Sequence, residues 1–230
     1  MEIKVLGTRG EIKPSAPYHS HKSGILIDNK ILLDCGEEEF VKYNPKYILI
    51  THLHPDHAFF ARNMQPWDID VPIYAPQEFE GMDIKVTDSP FTIDGYKITP
   101  IPTIHSIKVK SNAYLIEHQG KKIFYTGDMI WIEKEYQKQL SQLDLVITEA
   151  SFIDKGGMVR RNKETEQIYG HTGIPDLIKL FKQFTDKILL VHFGSWFYRD
   201  MKEAQSQLRE LAKENNIEIV IGYDGLDLTV

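Results

Sequence analysis

Thr51-His52-Leu53-His54-Pro55-Asp56-His57 puts three imidazoles and a carboxylate directly behind the apolar run Tyr47–Ile50. That run reads as a strand, and alternate residues on the extended segment leaving it project to one side. His52 and His54 can therefore grip one ion. Asp56 and His57 follow a turn set by Pro55 and can face a second ion. Neutral imidazoles and a carboxylate suit zinc or another late first-row metal. Four ligands do not fill two metal shells, so partners must come from elsewhere in the chain.

Three residues qualify, each just past an apolar strand: His105 after Tyr96–Ile101, Asp128 after Ile123–Thr126, and His192 after Ile188–Val191. If those strands share a sheet edge, their ends converge on one cleft. Further strands read at Glu2–Leu6, Gly24–Asp28, Ile31–Asp34, Val71–Ala75, Asp83–Val86, Asn112–Glu117, Leu143–Thr148, Ile217–Ile221 and Leu226–Val230. Helical patterns fall at Ala58–Asn63, Ile130–Leu140, Pro175–Phe184 and Met201–Asn216. Strands dominate the first half and helices separate the later strands, which predicts a layered α/β sandwich. No linker or internal repeat divides the chain, so residues 1–230 read as one domain.

These residues together resemble the metallo-β-lactamase superfamily, and the likeness runs over nearly the whole chain. The resemblance implies a four-layer αββα sandwich. It assigns His52, His54 and His105 to one metal and Asp56, His57 and His192 to the other. Asp128, in Tyr125-Thr126-Gly127-Asp128, resembles the bridging aspartate. Asp34, in Leu33-Asp34-Cys35-Gly36, matches the carboxylate that supports the histidine loop from behind. Gly170-His171-Thr172 is similar to the extra histidine motif of ribonuclease Z and of cyclic phosphodiesterases acting on ribose phosphates. Tyr223-Asp224-Gly225-Leu226 also resembles the close of those chains. By the same likeness Asp56 and His171 are the catalytic candidates, with His171 aiding the leaving group. The interval from His105 to Asp128 holds only a hairpin where ribonuclease Z carries a long tRNA-gripping arm, and Ala58-Phe59-Phe60 departs from the usual glycine-containing continuation.

Composition agrees with a small substrate. The 230 residues are 42% hydrophobic, with 33 acidic against 27 basic side chains and a net charge of −6. That balance and the absence of a basic stripe argue against stable tRNA binding. A small anionic substrate can still be held, because two divalent ions dominate the local field. The expected cofactor is a pair of divalent cations, zinc foremost, with manganese or iron as alternatives. Cys35 is the only cysteine, so a disulfide framework and an all-cysteine zinc site are excluded. No apolar run exceeds four residues, and the first residues alternate as a strand, so the expectation is a cytoplasmic protein without a membrane span. The oligomeric state is left open, a homodimer included.

Three weaker readings complete the set. Arg160 and Arg161 could meet a substrate phosphate, although a solvated loop accounts for them as well. Trp196, just past His192, could wall a pocket or simply pack. His19, His21 and His118 show no ligand spacing and read as surface or loop residues. The expected activity is a dinuclear phosphodiesterase on a cyclic phosphate, a nucleotide or short RNA. Lactone or thioester hydrolysis on the same metals is the alternative, and a metal-binding interaction protein without turnover a third reading.

Overall fold

Runs of Ile, Leu and Val buried on both sides give the strands of this chain their nearly continuous apolar character. The computed structural model describes all 230 residues, Met1–Val230. Six strands of the first half, β1 (Glu2–Gly7), β2 (Gly24–Ile27), β3 (Ile31–Leu33), β4 (Tyr47–Leu49), β5 (Ile73–Ala75) and β6 (Ile84–Val86), lie in one sheet. A second sheet begins with β7 (Phe91–Ile93), β8 (Tyr96–Pro102), β9 (Asn112–His118), β10 (Lys121–Tyr125) and β11 (Leu145–Ala150). A separate hairpin, β12 (Met158–Arg161) with β13 (Ile168–His171), precedes β14 (Lys187–Phe193) and β15 (Glu218–Ile221), which complete the second sheet. The last strand, β16 (Asp227–Thr229), returns to pair with β1.

Each sheet is antiparallel on one side and parallel on the other. In the first, β16-β1-β2-β3 pair antiparallel and β3-β4-β5-β6 parallel. In the second, β7-β8-β9-β10 pair antiparallel and β10-β11-β14-β15 parallel. Loops that leave the carboxyl ends of parallel strands gather at one edge, which is where the candidate ligands stand.

Three apolar layers hold the sheets. Between them, Ile3, Val5, Ile25, Ile27, Leu33 and Leu49 of the first meet Ile98, Tyr114, Ile116, Ile123, Ile147 and Leu189 of the second. The outer face of the second sheet is covered by α2 (Ile174–Phe181), α3 (Ser195–Arg199) and α4 (Met201–Asn215), through Leu177, Ile178, Phe181, Phe197 and Leu208. Asp200 caps α4 by accepting from the amides of Lys202 and Glu203. The outer face of the first sheet is closed mainly by loops and two 3₁₀ turns, Glu38–Tyr43 and Phe59–Arg62, which bury Phe40 and Phe60. The expected four-layer αββα sandwich is thus present, with its first outer layer built without α-helices.

Two expectations of local structure are corrected. The helix read over Ile130–Leu140 is a single turn, α1 (Lys134–Gln137), because Ile130 and Trp131 are held extended by backbone bonds with Ile104. The segment read as a solvated loop around Arg160 is the β12–β13 hairpin. All four β12 side chains are exposed, so the strand carries no apolar alternation to announce it.

Candidate metal centre

Strand ends place every candidate ligand. His52, His54, Asp56 and His57 lie on the loop after β4, His105 follows β8, Asp128 follows β10, and His192 sits near the end of β14. The nitrogens of His52, His54 and His105 lie within 4.8 Å of one another, as do the ligand atoms of Asp56, His57, Asp128 and His192. All but His54 are buried. The seven residues predicted from sequence come together in these two groups, and a third grouping brings His171 within the same range of His105 and Asp128.

Local backbone geometry aims them. Between Glu149 and Ala150 the β11–β14 register slips by one residue, leaving His192 as a bulge at φ 53°. A bulge re-aims a side chain, and this one turns the imidazole toward Asp56 and Asp128. Asp34, at φ 57° after β3, is likewise in the left-handed region. Gly127 also has φ 57°, and a Cβ there would meet Thr51 Oγ1 at 2.6 Å, so the turn that presents Asp128 requires glycine.

Asp128 lies between the two groups. Its Oδ2 is 3.8 Å from His52 Nε2 and 3.9 Å from His105 Nε2, while its Oδ1 is 3.2 Å from His57 Nε2 and 3.3 Å from His192 Nδ1. His57 Nδ1–H donates to Asp34 at 2.7 Å, which leaves Nε2 to face Asp128. His105 Nδ1–H donates to the Gly170 carbonyl at 2.9 Å, which leaves its Nε2 as the acceptor nitrogen, 3.1 Å from His54 Nδ1. Such partners fix the tautomer of a metal-binding imidazole. Asp34 also accepts from the Thr51 amide at 2.7 Å and from Tyr125 Oη at 2.7 Å, so it fulfils the supporting role read from the sequence.

The donor set fits metal ions. His52 Nε2 and Asp128 Oδ1 are buried without any hydrogen-bond partner. An orphaned buried polar atom costs about 1–3 kcal/mol, and a cation in each of the two groups would satisfy one of these atoms. Burial holds the His52 imidazole well below its usual pKa, and burial likewise pushes His54 down to about 4. Both rings are therefore neutral at pH 7, the state that a ligand needs.

His171 ends β13 beside this cluster. Its Nδ1–H donates to Glu149 at 2.8 Å, and Glu149 also accepts from the Met129 amide at 2.7 Å. Burial opposes the imidazolium, but the carboxylates of Glu149 and Asp128 overcome it and push the pKa up to about 9. With Nδ1 committed to Glu149, Nε2 is the nitrogen left to act. Glu149 was missed in the sequence, although it ends an apolar strand just as His192 does.

The cleft holds a cavity of about 410 Å³ lined by Gly10, Glu11, Ile12, Phe152, Met158, Gly194 and Ser195 together with His171 and four of the candidate ligands, His54, Asp56, Asp128 and His192. Neither Arg160 nor Arg161 lines it, and Trp196 does not either. Arg161 pairs with Glu166 at 3.1 Å. Trp196 packs against the outer helical layer and donates Nε1–H to the Ala150 carbonyl at 2.8 Å, so it is a packing residue and Phe152 supplies the aromatic wall. One histidine outside the cluster differs from expectation. His19 is buried against Phe193 and Phe197 with Nδ1 3.1 Å from Thr8 Oγ1. Asp224 accepts from Thr8 Oγ1 and from the amides of Ser20 and His21, tying the chain's closing segment to the loop that carries Gly10.

Two facing mixed sheets with a histidine–aspartate cluster at their strand ends define a metallo-β-lactamase fold. Residues 29–193 match the family described as "Beta-lactamase superfamily domain", and the chain belongs to it. No curated protein matches the chain in sequence. Among solved structures it is similar to the metallo-β-lactamase fold protein YhfI from Bacillus subtilis, at 20% identity and TM-score 0.73, covering 99% of this chain and 98% of that one. The short form of human tRNase Z aligns at 18% identity and TM-score 0.67, covering 100% and 99%. A diphosphatase of the PhnP family aligns at 17% and 0.68, covering 100% and 97%. At these identities the likeness is one of fold.

Proposed function

We propose that this protein is a metal-dependent phosphodiesterase acting on a small anionic substrate. The observation that carries the reading is the His171–Glu149 pair, which lies beside the metal cluster and outside the His52–His54–His105 and Asp56–His57–Asp128–His192 groups, although His171 also comes within ligand range of His105 and Asp128. His52, His54 and His105 would hold one cation and Asp56, His57 and His192 the other, with Asp128 between them. Two divalent cations there, zinc foremost and manganese or iron as alternatives, would polarise a phosphoryl oxygen and acidify a water. Asp34 and the Gly170 carbonyl hold His57 and His105 in the tautomers that binding needs. Glu149 keeps a proton on His171 Nδ1 and stabilises the imidazolium, so Nε2–H can be given to a departing alkoxide. Such proton donation is worth about 10²–10⁴-fold for a poor leaving group.

A lactone or thioester hydrolase would use the same ligands. A thiolate leaves without a proton and gives the His171–Glu149 pair nothing to do, whereas a lactone releases an alkoxide and would use the pair, so lactone hydrolysis stands as the second reading. Two of the structural neighbours are named as a tRNase and a diphosphatase, which supports the phosphate reading. No lysine or arginine lines the cavity, which favours a small substrate over a polyanion that must be gripped through many phosphates.

The test is His171→Ala in the metal-loaded protein. Metal content should be unchanged, and the rate should fall far more on a diester with a ribose-type alkoxide leaving group than on bis(4-nitrophenyl) phosphate. Equal losses on both substrates, or loss of metal, would contradict the assigned role. Absence of any metal-dependent phosphodiester cleavage by the wild type would overturn the function itself.

A further inference from the structure

The β12–β13 hairpin forms one wall of the cavity, and its register decides which side chains face the substrate. Met158 is paired directly with His171, and Arg160 with Tyr169. Residues opposite one another on an antiparallel pair share a face, and residues two apart on a strand do as well. His171, Met158, Tyr169 and Arg160 therefore occupy one face of the hairpin, and Met158 and His171 both line the cavity. Val159 and Arg161 belong to the opposite face. The two adjacent arginines thus differ in kind. Arg161 is engaged by Glu166, through both its carboxylate and its carbonyl at 3.1 Å. Arg160 is exposed and has no ion-pair partner.

We propose that this hairpin is the binding arm for the leaving group, and that Arg160 receives an anionic substituent carried on it. The inference rests on the phosphodiester reading and adds to it a substrate class. The group released beside His171 lies against Met158 and Phe152 and bears a carboxylate or phosphate farther out. Phe152 fits this path, because its ring centroid is 6.0 Å from that of His171. Two residues of strand separate Met158 from Arg160 by about 7 Å, roughly the span of one aromatic or sugar ring. A guanidinium is suited to the distal anion because its planar fork matches carboxylate and phosphate oxygens. Arg160 stands outside the cavity, whose lining has no lysine or arginine of its own, and the rim carboxylate, Glu11, is already paired with Arg62 and Lys22.

Titration calorimetry on the metal-loaded protein tests this with phenylphosphonate and 4-phosphonobenzoate, which differ only in a distal carboxylate. The wild type should bind the carboxylated ligand about two- to fivefold more tightly at low ionic strength, as an exposed charge pair warrants. Arg160→Gln should erase that preference, Arg160→Lys should retain part of it, and Arg161→Gln should leave it intact. Equal binding of the two ligands by the wild type, or a preference that survives Arg160→Gln, would overturn the assignment. Failure of phenylphosphonate to bind at all would strike instead at the phosphate reading on which the assignment rests.

Discussion

Replacing Asp34 by Asn separates the charge and acceptor role of that side chain from its shape. The carboxylate is fully buried and has no cation other than the His57 ring to pair with. One oxygen accepts from the Thr51 amide, and an amide oxygen can still do so. The other accepts from His57 Nδ1 and Tyr125 Oη, each at 2.7 Å, and an amide NH₂ in its place sets donor against donor twice. Two buried donors without acceptors cost about 1–3 kcal/mol each, so the folded state should lose about 2–6 kcal/mol. His57 can relieve one of these conflicts by moving its proton to Nε2. That nitrogen faces Asp128 at 3.2 Å and is the one that a metal requires. Either route weakens the second site, and loss of such a support typically lowers metal affinity about 10–100-fold. Titration with a competing chelator, alongside urea melts of the metal-free protein, measures both effects. An Asp34→Asn protein with wild-type affinity at both sites and an unchanged melt would show that the carboxylate does not hold the His57 tautomer.

Other consequences follow from single positions. Gly127→Ala forces a Cβ at φ 57° to within 2.6 Å of Thr51 Oγ1 and should cost about 1–3 kcal/mol in a urea melt. Gly120→Ala, at φ 77° with nothing within 4 Å, should cost only the backbone strain of about 1 kcal/mol, and equal losses would show that the contact with Thr51 does not matter. Burial holds the His19 imidazole below its usual 6.5, against a smaller opposing pull from Asp224. The unfolded chain therefore binds a proton that the folded chain does not. Stability from this residue is full above pH 6.5 and declines as pH falls below it, by at most about 1.4 kcal/mol per pH unit. His19→Gln should flatten that part of the stability profile, and an identical profile in mutant and wild type would contradict the buried neutral state.

The fold and the metal cluster were legible because both are written in local pattern. Apolar runs such as Tyr47–Ile50 and Ile188–Val191, rich in Ile, Leu and Val, read as strands, and the ligands lie on the segments that follow such strands. His171 was legible as a motif, but its partner was not, because a lone glutamate at Glu149 has no spacing signature and its meaning depends on β11 lying next to β14. The β12–β13 hairpin was hidden for a different reason. Its strands are held mainly by backbone pairing and bury little, so the Arg-Arg-Asn-Lys-Glu run reads as solvated chain. His19 was misread as a surface residue since its burial arises from Phe193 and Phe197, far away in sequence.

The central claim is that two ions are held by two ligand groups sharing Asp128. Native mass spectrometry combined with elemental analysis, on protein purified without chelators and then supplied with zinc or manganese, tests it directly. Close to two metals per chain are expected, with His105→Ala and His192→Ala each reducing the content toward one while the fold is retained. A wild-type protein that takes up one ion or none under saturating metal, or in which both variants empty the same site, would contradict it.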